Sequence, residues 1–122
     1  IDDSIVRGNT SKQIVQMARD AGAKKVFFAS ASPPIIFPNV YGIDMPYVKE
    51  LIAYNKTINE ICNEMGADKL IYQDLDDLIA SVKQSNPGIE SFDTSCFDGK
   101  YITEGVTSEY LNNLHSFRDK NK

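Results

Sequence analysis

Two adjacent carboxylates, Asp2 and Asp3, open a short polar run, Ser4-Ile5-Val6-Arg7-Gly8-Asn9-Thr10-Ser11, that holds one glycine and three hydroxyl side chains. The chemistry open to such a run is recognition of a sugar phosphate. Backbone N–H groups from Ser4 to Thr10, with the hydroxyls of Ser4, Thr10 and Ser11, can surround a phosphate where a helix begins, because a helix N-terminus carries partial positive charge and unpaired donors. Asp2 and Asp3 lie on the other side of that cradle. There they can accept hydrogen bonds from vicinal ribose hydroxyls or hold Mg2+, a hard cation that prefers carboxylate oxygen. Two carboxylates alone make a weak metal site, so the ligand's own phosphates have to share it. The same residues also fit a plain turn followed by a glycine hinge and an ordinary helix cap, and residue types alone leave both open.

A phosphate cradle of this kind needs a strand to deliver the carboxylates to the carboxyl edge of a parallel sheet and a helix to receive the loop. Thr10 followed by Gln13, with Ile14, Met17, Ala18 and Ala21 at helical spacing, predicts a capping box and a helix over Ser11 to Ala21, stopped by Gly22. Val26-Phe27-Phe28-Ala29-Ser30 is an apolar run of the kind found in a strand buried on both faces. Four of the five prolines fall between Ser32 and Pro46, which predicts a loop there. A short helix is expected over Tyr47 to Ala53, and a second carries Ile58, Ile61, Cys62 and Met65 up to Gly66. Leu70-Ile71-Tyr72 follows as a short strand. Asp74 caps a helix with Leu75, Leu78, Ile79 and Val82, ended by Asn86-Pro87-Gly88. Beyond Pro87, Asp98-Gly99 predicts a hairpin turn within Phe92 to Thr103, and Thr107 or Ser108 starts a last helix bearing Tyr110, Leu111, Leu114 and Phe117.

Composition narrows the function classes. Lys and Arg total 13 against 17 Asp and Glu, for a net charge of −4, which argues against nucleic-acid or anionic-membrane binding. With 42% hydrophobic and 25% charged residues in 122, one packed α/β unit is expected and two complete domains are not. Cys62 and Cys96 with a single histidine cannot build a disulfide framework or an all-protein zinc site, and a reducing cytoplasm fits them best. The chain opens at Ile1 without an initiating Met, a signal segment or the apolar strand that should precede Asp2, so it is expected to be a piece of a longer protein.

The string from Ile1 to Thr10 resembles the phosphoribosyl-diphosphate loop of type I phosphoribosyltransferases, whose pattern is four apolar residues, two acidic residues and a loop ending in Gly-x-Thr. Of the four apolar residues, Ile1 alone is present. Four further stretches look, more narrowly, like the amidophosphoribosyltransferase family: Ala21 to Val26, Phe37 to Pro46, Gly66 to Leu75, and Phe97-Asp98-Gly99-Lys100-Tyr101. The resemblance implies the C-terminal portion of an α/β, Rossmann-like and mainly parallel fold, incomplete at residues 1–86, with a helical C-terminal extension over 87–122. It implies a glutamine-dependent enzyme of purine synthesis that makes phosphoribosylamine from phosphoribosyl diphosphate. The partners it implies are that substrate, an N-terminal glutaminase domain in the rest of the chain, and other copies in a homo-oligomer.

By motif position, Asp2 and Asp3 would bind the ribose hydroxyls and Mg2+, and Ser4, Ile5, Val6, Arg7, Gly8, Asn9 and Thr10 the 5′-phosphate. Asn9 stands where many members have Thr. The glutaminase nucleophile, the diphosphate-binding residues and the loop that closes over substrate are all missing, so the chain alone is expected to be inactive. The alternative is a non-catalytic phosphoribosyltransferase-like regulator that binds a nucleotide or sugar phosphate.

Some members of the family carry a 4Fe–4S cluster, but Asn39 and Asp93 occupy two of its cysteine positions and only Cys96 remains, so no cluster is expected. Cys62, on an apolar helix face, reads as core. Asp74, Asp76 and Asp77 read as helix capping and dipole complement, and His115 as a surface residue. Arg7 is left open between phosphate and solvent.

Overall fold

Phe27–Ser30 (β1) and Lys69–Tyr72 (β2) pair as parallel strands in the register Phe27 with Lys69, Phe28 with Leu70, Ala29 with Ile71 and Ser30 with Tyr72. Asp2 adds a one-residue parallel bridge on the other side of β1, opposite Ser30. Its N–H donates to Ala29 O and its carbonyl accepts from Ala31 N, both at 2.9 Å. The order across the sheet is therefore Asp2, β1, β2, and the two carboxylates stand at its carboxyl edge as a strand end would place them. In this computed structural model residues 1–42, 47–111 and 113 are described.

Parallel neighbours need crossovers, and helices supply both. Asn9–Asp20 (α1) joins the Asp2 bridge to β1, and Ile58–Met65 (α2) joins β1 to β2. Val15 of α1 and Ile61, Cys62 and Met65 of α2 meet Phe28 and Leu70 of the sheet, with Ile5, Ile52 and Ala53, in one buried cluster. A Thr57–Glu60 capping box starts α2 and Gly66 in the left-handed region ends it. Leu75–Ser85 (α3) follows β2, and Asp74 Oδ1 accepts from the N–H groups of Asp76 and Asp77 at 2.9 and 3.3 Å. This is the capping role expected of that carboxylate cluster.

Away from the carboxylates, Arg19 closes the N-terminal edge of the sheet. Its guanidinium donates to Lys24 O, Gly66 O and Asp68 Oδ2, and Asp68 also accepts from Val26 N at 2.7 Å. These hydrogen bonds, that of the Val26 backbone first, hold the Asp68 carboxyl below its usual range.

Four expectations are corrected. Helix α1 begins at Asn9, not Ser11, and its N-cap is Gly8, so Thr10 lies inside the helix and forms no capping box with Gln13. Gly8 at φ +77° turns the chain into the helix before Thr10 is reached. Tyr47 to Ala53 forms a single 3₁₀ turn, Val48–Glu50, because the amide of Ile52 donates to Val6 O at 2.9 Å and a continuing helix would have turned it inward. Phe92 to Thr103 makes no hairpin: Ser95–Asp98 is a short helix (α4), with Gly99 in the left-handed region as its C-cap. Last, β1 is not buried on both faces, for Phe27 is 62% exposed and Ile71 of β2 47%, leaving two large apolar side chains exposed on the far face of the sheet. Residues 108–111 and 113 are helical where the last helix was expected. Leu114, His115, Phe117 and the 43–46 part of the Phe37 to Pro46 stretch lie outside the described residues.

Candidate functional site

The residues nominated from the sequence converge on one cleft of about 400 Å³, lined by Asp2, Asp3, Ser4, Val6, Arg7, Gly8, Asn9, Thr10 and Ser11. Ile5 is the exception. It is 1% exposed, and its side chain is a core anchor under the loop rather than part of the lining. Above that anchor the loop is free to present backbone and small polar side chains outward.

Local hydrogen bonds set the carboxylates. Asp3 N–H donates to Asp2 Oδ1 at 3.1 Å and Ser4 N–H to Asp3 Oδ1 at 2.7 Å. One oxygen of each is thereby committed to backbone, and the other is left to a ligand.

At the opposite wall, α1 enters with no side-chain cap, so the N–H groups of Asn9, Thr10 and Ser11 in its first turn are not consumed by a capping oxygen. Had Thr10 capped the helix, as its spacing predicted, a hydroxyl would already sit where an anion would bind. No acidic side chain occupies that first turn, and Ser11 is buried at 2% exposure on the cleft wall. Carboxylates on one side and helix-terminal N–H groups on the other make a cleft complementary to a polyol joined to an anion.

Arg7, left open by the sequence, donates from Nε to Glu50 Oε2 at 3.1 Å while also lining the cleft. Its charge is shared with a carboxylate of the 3₁₀ turn. The residue that sequence reasoning missed is Ile52. A Cβ on Gly8 would stand 2.3 Å from Ile52 Cδ1, so the glycine is required by the close approach as well as by its positive φ. The signal in the sequence was Leu51-Ile52-Ala53, three consecutive apolar residues, all buried, at the end of the stretch expected to be a short helix.

The donor set fits Mg2+ only in part. Among the described residues no group of three or more His, Cys, Asp or Glu is placed to hold a metal ion. Asp2 and Asp3 can offer two carboxylate oxygens, which suits a cation that keeps its waters and shares the oxygens of a bound phosphate ester.

The positions set aside for an iron–sulfur cluster meet at a second junction. Asn39 Nδ2 donates to Ser95 Oγ at 2.7 Å, and Ser95, fully buried, donates onward to Asp93 Oδ1. Cys96 O accepts from the N–H groups of Ile36 and Phe37, both at 3.1 Å. Burial, then the negative charges of Asp93 and Asp98, push the Cys96 thiol above its ordinary value.

Comparison with known proteins adds identity to this geometry. No protein-family model matches the chain. Amidophosphoribosyltransferase of Pasteurella multocida is 60% identical over 119 residues, which is 98% of this chain and 24% of that protein. The Haemophilus influenzae amidophosphoribosyltransferase is 57% identical over 121 residues, covering 99% of this chain and 24% of its own length. The solved glutamine phosphoribosylpyrophosphate amidotransferase from B. subtilis, complexed with ADP and GMP, superposes with a TM-score of 0.73 at 39% identity, over 86% of this chain and 23% of that one. The chain thus spans about a quarter of the length of the curated relatives it matches. Over that quarter, in sequence and in its small parallel α/β fold alike, the chain is similar to amidophosphoribosyltransferases.

Proposed function

We propose that the cleft binds the 5-phosphoribosyl group of phosphoribosyl diphosphate, and that the chain serves this purpose as the C-terminal part of a longer amidophosphoribosyltransferase. In that protein phosphoribosyl diphosphate, glutamine and water become phosphoribosylamine, glutamate and diphosphate. The observation that carries the reading is the cleft itself: a pair of carboxylates faces an uncapped helix N-terminus, on a strand–loop–helix unit at the carboxyl edge of a parallel sheet.

Asp2 and Asp3 orient the ribose through its hydroxyls. The N–H groups of Asn9, Thr10 and Ser11, with the hydroxyls of Ser4, Thr10 and Ser11, hold the 5′-phosphate. Holding both ends of the ribose phosphate fixes C1 for attack, which is catalysis by positioning. Mg2+, where bound, neutralises charge on the departing diphosphate, and Asp2 and Asp3 are the residues that would help hold it. Ammonia from glutamine and the groups that close over the substrate would come from the rest of the longer chain, so this part is inactive alone. The exposed side chains of Phe27 and Ile71 are surface for that remainder or for other copies in a homo-oligomer. Its free cysteines suit a cytoplasmic enzyme.

Among the described residues, no helix is long and apolar enough to cross a membrane. The names of the relatives favour the enzyme over a non-catalytic sugar-phosphate binder. The deciding experiment places Asp2→Asn and Asp3→Asn in the longer chain and measures phosphoribosylamine formation. Loss of turnover by about 100-fold or more is expected from removing charges that face the reacting group. Near-normal turnover would refute the assignment, and an upstream reading frame encoding a DNA-reading module instead of a glutaminase would favour the regulator.

A further inference from the structure

The stretch after α3 grips the loop after β1 at several points. Ser95 holds Asn39 from one side. From the other, the Tyr101 hydroxyl donates to Pro38 O and accepts from Val40 N, both at 3.1 Å, while Tyr41 and Thr103 join their hydroxyls at 2.8 Å. The rings of Tyr41 and Tyr101 meet edge to face with centroids 6.2 Å apart. Ile36, whose N–H is held by Cys96 O, packs against the buried cluster that contains Ile5 and Ile52. Those two residues lie beneath the phosphate-facing loop: Ile5 belongs to it, and the Ile52 side chain supports Gly8 while its backbone N–H donates to Val6 O.

We propose that residues 93–103 act as a clasp that sets the phosphate cleft from behind, with Ser95 and Tyr101 as positioning residues. Neither lines the cleft. They fix the 36–41 loop, that loop presses Ile36 on the core, and the core holds Ile52 where Gly8 can turn into α1. The anion-binding role rests on the function proposed above; the mechanical link to Ile52 does not. Packed cores pass displacement from one wall to another because they have few voids to absorb it.

The test places Tyr101→Phe and, separately, Ser95→Ala in the longer protein of which these 122 residues are part. Amide exchange is followed at Val40, Ile52 and Asp68, and inorganic phosphate is titrated against the amide signals of Gly8 to Ser11. Tyr101→Phe removes one oxygen and leaves the ring, so it perturbs packing least. Expected are faster exchange at Val40 and at Ile52, little change at Asp68 on the opposite edge, and phosphate binding weaker by about threefold to tenfold.

Faster exchange at Val40 with Ile52 and phosphate affinity unchanged would overturn the clasp. So would equal acceleration at all three amides, which is general loosening. If phosphate moves no signal at Gly8 to Ser11 even in the unaltered chain, the anion-binding reading fails, and Ile52 exchange alone then decides for or against the clasp.

Discussion

Replacing Gly8 by Ala tests the geometry of the cleft most directly, because two separate costs can be worked out for it. Gly8 sits at φ +77°, where an L side chain costs about 1–2 kcal/mol. The added Cβ would also stand 2.3 Å from Ile52 Cδ1, and Ile52 is only 3% exposed, so its side chain cannot swing into solvent. Overpacking of that kind costs about 1–3 kcal/mol. Gly8→Ala should therefore lose roughly 2–5 kcal/mol, a large share of the 5–15 kcal/mol typical of a domain. Equilibrium urea unfolding would show this as a midpoint lowered by about 1 M or more.

The two costs separate through a second substitution. Ile52→Val deletes the clashing Cδ1 and alone should cost about 0.5–1.5 kcal/mol. In the Gly8→Ala background it should cost nothing or restore stability, because the nearest remaining atoms, Cγ1 and Cβ, lie at 3.3 and 3.4 Å. The coupling energy of the cycle should then be at least about 0.5 kcal/mol, with the backbone cost left in the double variant. Additive effects, or a Gly8→Ala chain as stable as the original, would show that Ile52 does not press on the loop and that the turn into α1 is not fixed as described.

Other substitutions bear on the frame around the cleft. Tyr72, on the core side of β2, has a buried hydroxyl without a partner among the described residues and a pKa pushed up to about 12 by burial. Tyr72→Phe should raise stability by about 1 kcal/mol by removing an unpaired buried group. It should also remove the Tyr72 share of the stability expected to be lost as pH climbs from about 10 toward 12, where this tyrosine ionises first in the unfolded chain; denaturant midpoints across that range test both, and a destabilised variant would reveal a partner for the hydroxyl. Glu64, between Lys56 and Lys12, has its carboxyl held below the usual range by hydrogen bonds to both. Its contribution is present above the unfolded carboxylate value and lost as pH falls through the lower folded one, so Glu64→Gln should flatten part of the acid limb of a stability profile; an identical limb would mean that the ion pairs contribute nothing. Thr57→Ala breaks the box that starts α2 and should cost about 1 kcal/mol in thermal or urea unfolding, and a neutral result would show that packing alone holds that end.

What could be read from the residues was whatever depends on near neighbours. The spacing of Ile58, Ile61, Cys62 and Met65, closed by Gly66, defines α2, and Asp74 marks the start of α3, because periodicity and capping are local. The cleft was legible for the same reason. Its nine lining residues are nearly contiguous, so chain connectivity alone keeps them together, and the resemblance of that string to a known loop suggested the roles proposed for them.

Tertiary structure decided the rest. Whether Thr10 or Gly8 caps α1 is settled by a positive φ at Gly8 beneath Ile52, a side chain 44 positions away in sequence. Leu51 to Ala53 leave the helical path because Ile52 has to reach Val6 O, and Asp98-Gly99 ends a helix because Ser95 is drawn to Asn39. Two-faced burial of β1 failed for a matching reason: an apolar run records what a strand can bury, and only the packing around it determines what is buried. Each of these outcomes turns on a contact between residues far apart in the chain, whose energy no local pattern of residue types contains.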